Sequence, residues 1–121
     1  FLSEYRALTE GILDLYSEPG TSPFLIVGDL NDHRNSSPVR RFRIRGDLQI
    51  AEILDARDRS NLIWTHYYMK GGEYSLLDYM LASPALTQAY RAESGILDLP
   101  EYYEGSDHRL VWTDLVATAE E

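Results

Sequence analysis

No cysteine occurs among the 121 residues, which excludes disulfides and thiolate metal sites. Cations are scarce as well: 11 Lys and Arg face 20 Asp and Glu, for a net charge of −9. That balance argues against strong binding to a nucleic-acid backbone, because phosphate neutralisation requires clustered Lys and Arg. It leaves open an acidic site that meets phosphates through a bound cation. No apolar run approaches the roughly 20 residues needed to span a bilayer. The chain starts at Phe1 rather than Met and shows no signal-like segment, so the natural N-terminus is expected to lie upstream.

What is present suits one folded domain. Hydrophobic residues make up 44% and charged residues 26%, an ordinary balance for a globular chain large enough to bury a core. There is no internal repeat, low-complexity tract or second domain. The most informative stretch is Phe24-Leu25-Ile26-Val27-Gly28-Asp29-Leu30-Asn31-Asp32. Its continuous apolar run predicts a strand over 24–27 buried on both faces. Asp29 and Asn31 follow where the strand reaches the sheet edge, two residues apart and therefore facing the same way. On these residues alone, a polar turn bonding its own amides explains the pattern as well as a catalytic mouth does.

Around that strand the chain reads as follows. Leu2, Tyr5, Leu8, Ile12 and Leu15 recur at helical spacing, predicting a helix over 1–18 that Pro19-Gly20 stops. Asn35-Ser36-Ser37-Pro38 offers a cap and an early proline, predicting a short helix over about 38–43. Five of the 11 cations, Arg34, Arg40, Arg41, Arg43 and Arg45, fall in this region, as a solvated face or as a positive lip beside the Asp29 mouth. Ile50, Ile53 and Leu54 suit a helical turn or two.

Residues 62–68 and 74–81 flank the Lys70-Gly71-Gly72-Glu73 turn and predict a β-hairpin, with Asp78 inside the return strand and Ser83-Pro84 ending it. A carboxylate there is costly unless it lies on a wet face or meets a donor. His66 carries the same ambiguity. Residues 85–105 read as connection with a short strand near 94–97, and 109–116 as a last strand.

Three short segments then stand in order, each in or beside a predicted strand: Gly-Asp-Leu-Asn at 28–31, Leu-Asp-Tyr at 77–79 ahead of Ser83-Pro84, and Ser-Asp-His at 106–108. Together they resemble the endonuclease/exonuclease/phosphatase superfamily, which includes pancreatic deoxyribonuclease. The resemblance implies an α/β (α+β) fold with one mostly antiparallel β-sheet and covering helices, half of a four-layer α/β/β/α sandwich. It implies a divalent-metal-dependent phosphoesterase, nuclease-like, acting on a phosphate-ester substrate that extends to nucleic acid.

In that reading Asp29 orients or deprotonates the attacking water, and Asn31 holds the water or a phosphate oxygen. His108 bonds the scissile phosphate, and Asp78 accepts from its other ring nitrogen. Asp107 lies by the metal with Asp29 and Asn31, and the cation is Mg²⁺ or Mn²⁺.

Members of the family carry a further Asn, a metal-binding Glu and a second His upstream of the first helix, and none is found here. The chain is therefore expected to be the C-terminal half of the domain over 1–121, to bind metal poorly and turn over little alone, and to self-associate through an exposed sheet face. The rival reading is a non-catalytic binding or self-assembly module. An enzyme requires Asp29, Asn31, Asp78 and His108 to converge, whereas a module has no need for that. A histidine metal site from His33, His66 and His108 has no helical spacing to support it.

Overall fold

Two serines set helix starts. Ser36 accepts from the Val39 amide and opens α1 (Ser37–Arg43), with Pro38 in its first turn. Ser83 accepts from the Leu86 amide and opens α2 (Pro84–Ala89). Capping by a hydroxyl with proline just inside is the expected entry to a short helix. The computed structural model describes Ser3 and residues 18–118. The helix expected over 1–18 falls, Ser3 and Glu18 apart, outside the described residues.

Nine strands accompany these helices among the described residues: β1 (Leu25–Asp29), β2 (Ile44–Arg45), β3 (Leu48–Gln49), β4 (Glu52–Ile53), β5 (His66–Tyr68), β6 (Glu73–Ser75), β7 (Asp78–Ala82), β8 (Tyr90–Ile96) and β9 (Val111–Ala117). Every strand pairing is antiparallel: β1-β7-β4 in one sheet, then β2-β3, β5-β6 and β8-β9 as separate ladders. The fold is α+β and mostly antiparallel. Among the described residues no helix is long and apolar enough to cross a membrane.

One side of the three-stranded sheet holds the core. Ile26, Tyr79, Leu81 and Ile53 pack with Val39 and Phe42 of α1 and with Phe24, Leu30, Ile50 and Ala51. Strand alternation sends Leu25, Val27 and Asp29 to the other side, opposite Ala82, Met80 and Asp78. That side is only partly covered, and Val27 is 62% exposed. The expectation of a strand buried on both faces is corrected here. Among the described residues β1 is an edge strand with a single neighbour, and an apolar run does not reveal whether a second layer exists to cover it.

Other expectations are corrected too. Residues 48–53 form β3 and β4 rather than helical turns: Gly46, at φ +61, turns the β2-β3 hairpin, and β4 joins the free edge of β7. The strand expected from Leu62 begins only at His66. The return arm of the hairpin is split at Leu76 and Leu77. Glu73–Ser75 stays with β5, whereas β7 crosses to β1, so Asp78 heads a new strand. Residues 84–96, read mainly as connection, contain α2 and the seven-residue strand β8.

Candidate active site

Asp29 and Asp78 are directly opposed on the last rung of the β1-β7 ladder. Two like charges at one rung repel, so the pair needs a cation or donors. His108 supplies one. Its Nδ1 lies 2.7 Å from Asp78 Oδ2 and donates to that carboxylate. Its Nε2 then faces Asp29 Oδ2 at 3.7 Å and Asp107 Oδ1 at 3.8 Å. Partial burial disfavours the imidazolium. The Asp78 hydrogen bond and the charges of Asp78, Asp29 and Asp107 outweigh it, and the His108 pKa is raised above the ordinary imidazole value.

Backbone geometry holds each group. Asn31 sits at φ +55, a left-handed conformation that Asn tolerates, and its amide donates to Asp29 Oδ1 at 2.8 Å. The Leu30 amide donates to the Leu77 carbonyl at 2.9 Å, tying the end of β1 to the start of β7. The Tyr79 hydroxyl lies 2.6 Å from the Asp32 carbonyl and pins the same turn.

Thr65, fully buried, organises the other side: its hydroxyl accepts from the amides of Leu77 and Asp78 at 3.0 and 3.2 Å, and its carbonyl accepts from the Arg109 amide at 2.7 Å. One residue thus fixes the backbone at Asp78 and next to His108. Arg109 is buried as well. Its guanidinium donates to Asp58 Oδ2 at 3.0 Å and to the Trp64 carbonyl at 2.7 Å, and stacks 3.6 Å from the Trp64 ring centroid.

Of the residues singled out in the sequence, the structure brings together Asp29, Asp78, Asp107 and the His108 ring, with Asn31 attached to Asp29 through its amide. His33 is elsewhere, 73% exposed and 3.9 Å from Asp32. His66 joins the cluster: Nε2 lies 3.2 Å from Asp107 Oδ2 and its ring centroid 4.8 Å from that of His108, across an antiparallel bridge between the two residues. No spacing in the sequence links position 66 to 108, and only that bridge reveals it. Thr65 was likewise invisible, a strand former among strand formers.

Arg40 and Arg41 line an open groove of about 470 Å³ with Asn35, Ser37, Ile44 and Gly46, and Asp29 is not among its lining residues. A second open groove, about 260 Å³, does touch the site and runs from Asp29 and Asp78 along Val27, Met80, Leu110 and Val111.

Compared with known proteins, residues 3–108 match the sequence model described as the endonuclease/exonuclease/phosphatase family. No curated protein and no solved structure matches the chain.

Proposed function

The chain belongs to the endonuclease/exonuclease/phosphatase family, and from that premise we propose that it hydrolyses a phosphodiester, nuclease-like, with an activated water. The family is in general one of metal-dependent phosphoesterases. The single observation that carries the reading is the Asp78–His108–Asp29 arrangement, one carboxylate at 2.7 Å from Nδ1 and the other at 3.7 Å from Nε2. A binding module has no use for an imidazole aligned between two acids.

The carboxylates of Asp29 and Asp107 are exposed and, with the Asn31 carboxamide, supply hard oxygen donors of the kind Mg²⁺ or Mn²⁺ takes. When bound, such a cation neutralises charge on the phosphate. The remaining work falls to the chain's own groups. Asp29 aligns the water and takes its proton as the water oxygen bonds phosphorus and the ester P–O bond breaks, the leaving oxygen keeping the bond's electron pair and taking a proton from solvent. Asn31 steadies the water or a phosphate oxygen. His108 donates from Nε2 to the phosphate, and Asp78 fixes its tautomer and favours the charged ring. The substrate class is a phosphate ester, with nucleic acid as the foremost candidate.

Two further parts of the reading follow from the family pattern. We also infer that the chain corresponds to the C-terminal half of the family's domain. It also self-associates through its partly bare sheet side, where Leu25, Val27 and Leu110 are exposed.

The test uses initial rates on a chromogenic phosphodiester and on supercoiled plasmid, for the chain alone and for the chain extended upstream. Cation-dependent turnover is expected in the extended protein, with a loss of about 10²–10⁴-fold in Asp29→Asn. Turnover insensitive to both chelation and that substitution would refute the assignment.

A further inference from the structure

His66, Asp107 and His108 offer two ring nitrogens and one carboxylate oxygen within 4.8 Å of one another. Both imidazoles turn Nε2 toward the same carboxylate, at 3.2 Å for His66 and 3.8 Å for His108. A tetrahedral ion with bonds of roughly 2.0–2.1 Å has ligand–ligand edges of about 3.3 Å, so small side-chain rotations close this set around one ion. The backbone bridge between His66 and His108 holds the two residues side by side before any ion arrives.

His108 is already prepared as a ligand. Its Nδ1 is held by Asp78 at 2.7 Å, leaving Nε2 as the coordinating atom, and a carboxylate behind a ligating imidazole raises its basicity. Asp107 is 72% exposed, so an ion has an open path and room for water in a fourth position. The second group of potential ligands, Asp29, Asp78 and His108, is a weaker candidate, because the Nδ1–Asp78 hydrogen bond already consumes one of its contacts.

We propose that His66, Asp107 and His108 form a site for a borderline transition-metal ion, with Zn²⁺ the representative case, and that filling it withdraws His108 Nε2 from the phosphate and slows hydrolysis. Two imidazoles with one carboxylate select Zn²⁺, Co²⁺ or Ni²⁺ over Mg²⁺, which prefers oxygen ligands. The site itself stands on geometry and donor chemistry. The inhibitory consequence rests on the hydrolase reading above.

The experiment titrates the 121-residue chain with Co²⁺, followed by its visible absorption, and displaces it with Zn²⁺ in a large excess of Mg²⁺. One Co²⁺ per chain is expected, and Mg²⁺, which shares only the Asp107 carboxylate with this site, should not displace it. Even hydrogen-bond partners of ligands are worth about 10–100-fold in affinity, so His66→Ala and Asp107→Asn should each weaken binding by at least that much. Asp107→Asn is isosteric at an exposed position and keeps the comparison valid if the His66 variant misfolds, which circular dichroism reports.

Unchanged affinity in Asp107→Asn, or displacement by Mg²⁺, would overturn the site. Zn²⁺ is then added to the Mg²⁺-supported reaction of the extended protein. Slower turnover is expected, and a rate indifferent to bound Zn²⁺ would overturn the inhibitory role. Metal binding that depends on Asp107 in a protein without phosphodiesterase activity would leave the site standing and remove the hydrolase reading instead.

Discussion

Asp78 carries two burdens. It must be tolerated opposite Asp29, and it must orient His108. Replacing it with Asn keeps the shape but presents no charge to the imidazolium, so Asp78→Asn is expected to lower turnover of the extended protein by about 10²-fold or more while leaving the far-ultraviolet spectrum intact, as initial rates and circular dichroism would show. Thr65 acts one step back, through the amides of Leu77 and Asp78. Thr65→Val leaves two partly buried donors without their acceptor, at a cost of about 1–3 kcal/mol in urea denaturation, whereas Thr65→Ser retains the acceptor and most of the stability. Both variants touch the site only by moving it.

At the scale of elements, the approach to β9 is anchored to the segment before β5. Arg109 joins Asp58, the Trp64 carbonyl and the Trp64 ring in one buried cluster. Arg109→Met leaves Asp58 without its counter-charge and is expected to destabilise the chain by about 3–5 kcal/mol in denaturant titration.

The same pair predicts an acid limb. Hydrogen bonds from the Leu62 amide, Arg109 and the Ser60 amide hold the Asp58 pKa below the ordinary carboxylate value, against burial, which acts the other way. A depressed folded-state pKa gives stability that is present above the unfolded value of about 3.9 and lost as pH falls through the folded one. Wild-type stability should therefore drop below about pH 4 more steeply than that of Asp58→Asn, measured as denaturation midpoints across pH.

Elements also show what the residues could disclose beforehand. Helix α1 was legible because Ser36 and Pro38 are local signals, and the end of β7 was legible in Ser83-Pro84. Strands of two residues such as β3 and β4 have no period to detect. Their identity comes from a hairpin and from β7, nearly thirty residues further along. The split at Leu76 and Leu77 was hidden for the same reason, since it depends on β7 leaving β6 for β1.

Across the whole molecule, the site lies where separate ladders meet. β1 and β7 contribute Asp29 and Asp78, the start of β5 contributes His66, and the loop before β9 contributes Asp107 and His108. The motifs named four of these five acids and imidazoles. Their convergence needed three dimensions, as did the recruitment of His66. The partly bare sheet side carries a prediction of its own: light scattering should report a species larger than one chain, reduced toward the monomer by Val27→Lys, and a monomer at all concentrations would contradict self-association.

The most direct test of the account is the rate of Mg²⁺-dependent phosphodiester hydrolysis by the extended protein with and without the imidazole at position 108. A loss of about 10²–10⁴-fold in His108→Ala is the predicted result. An equal rate in the two proteins would contradict it.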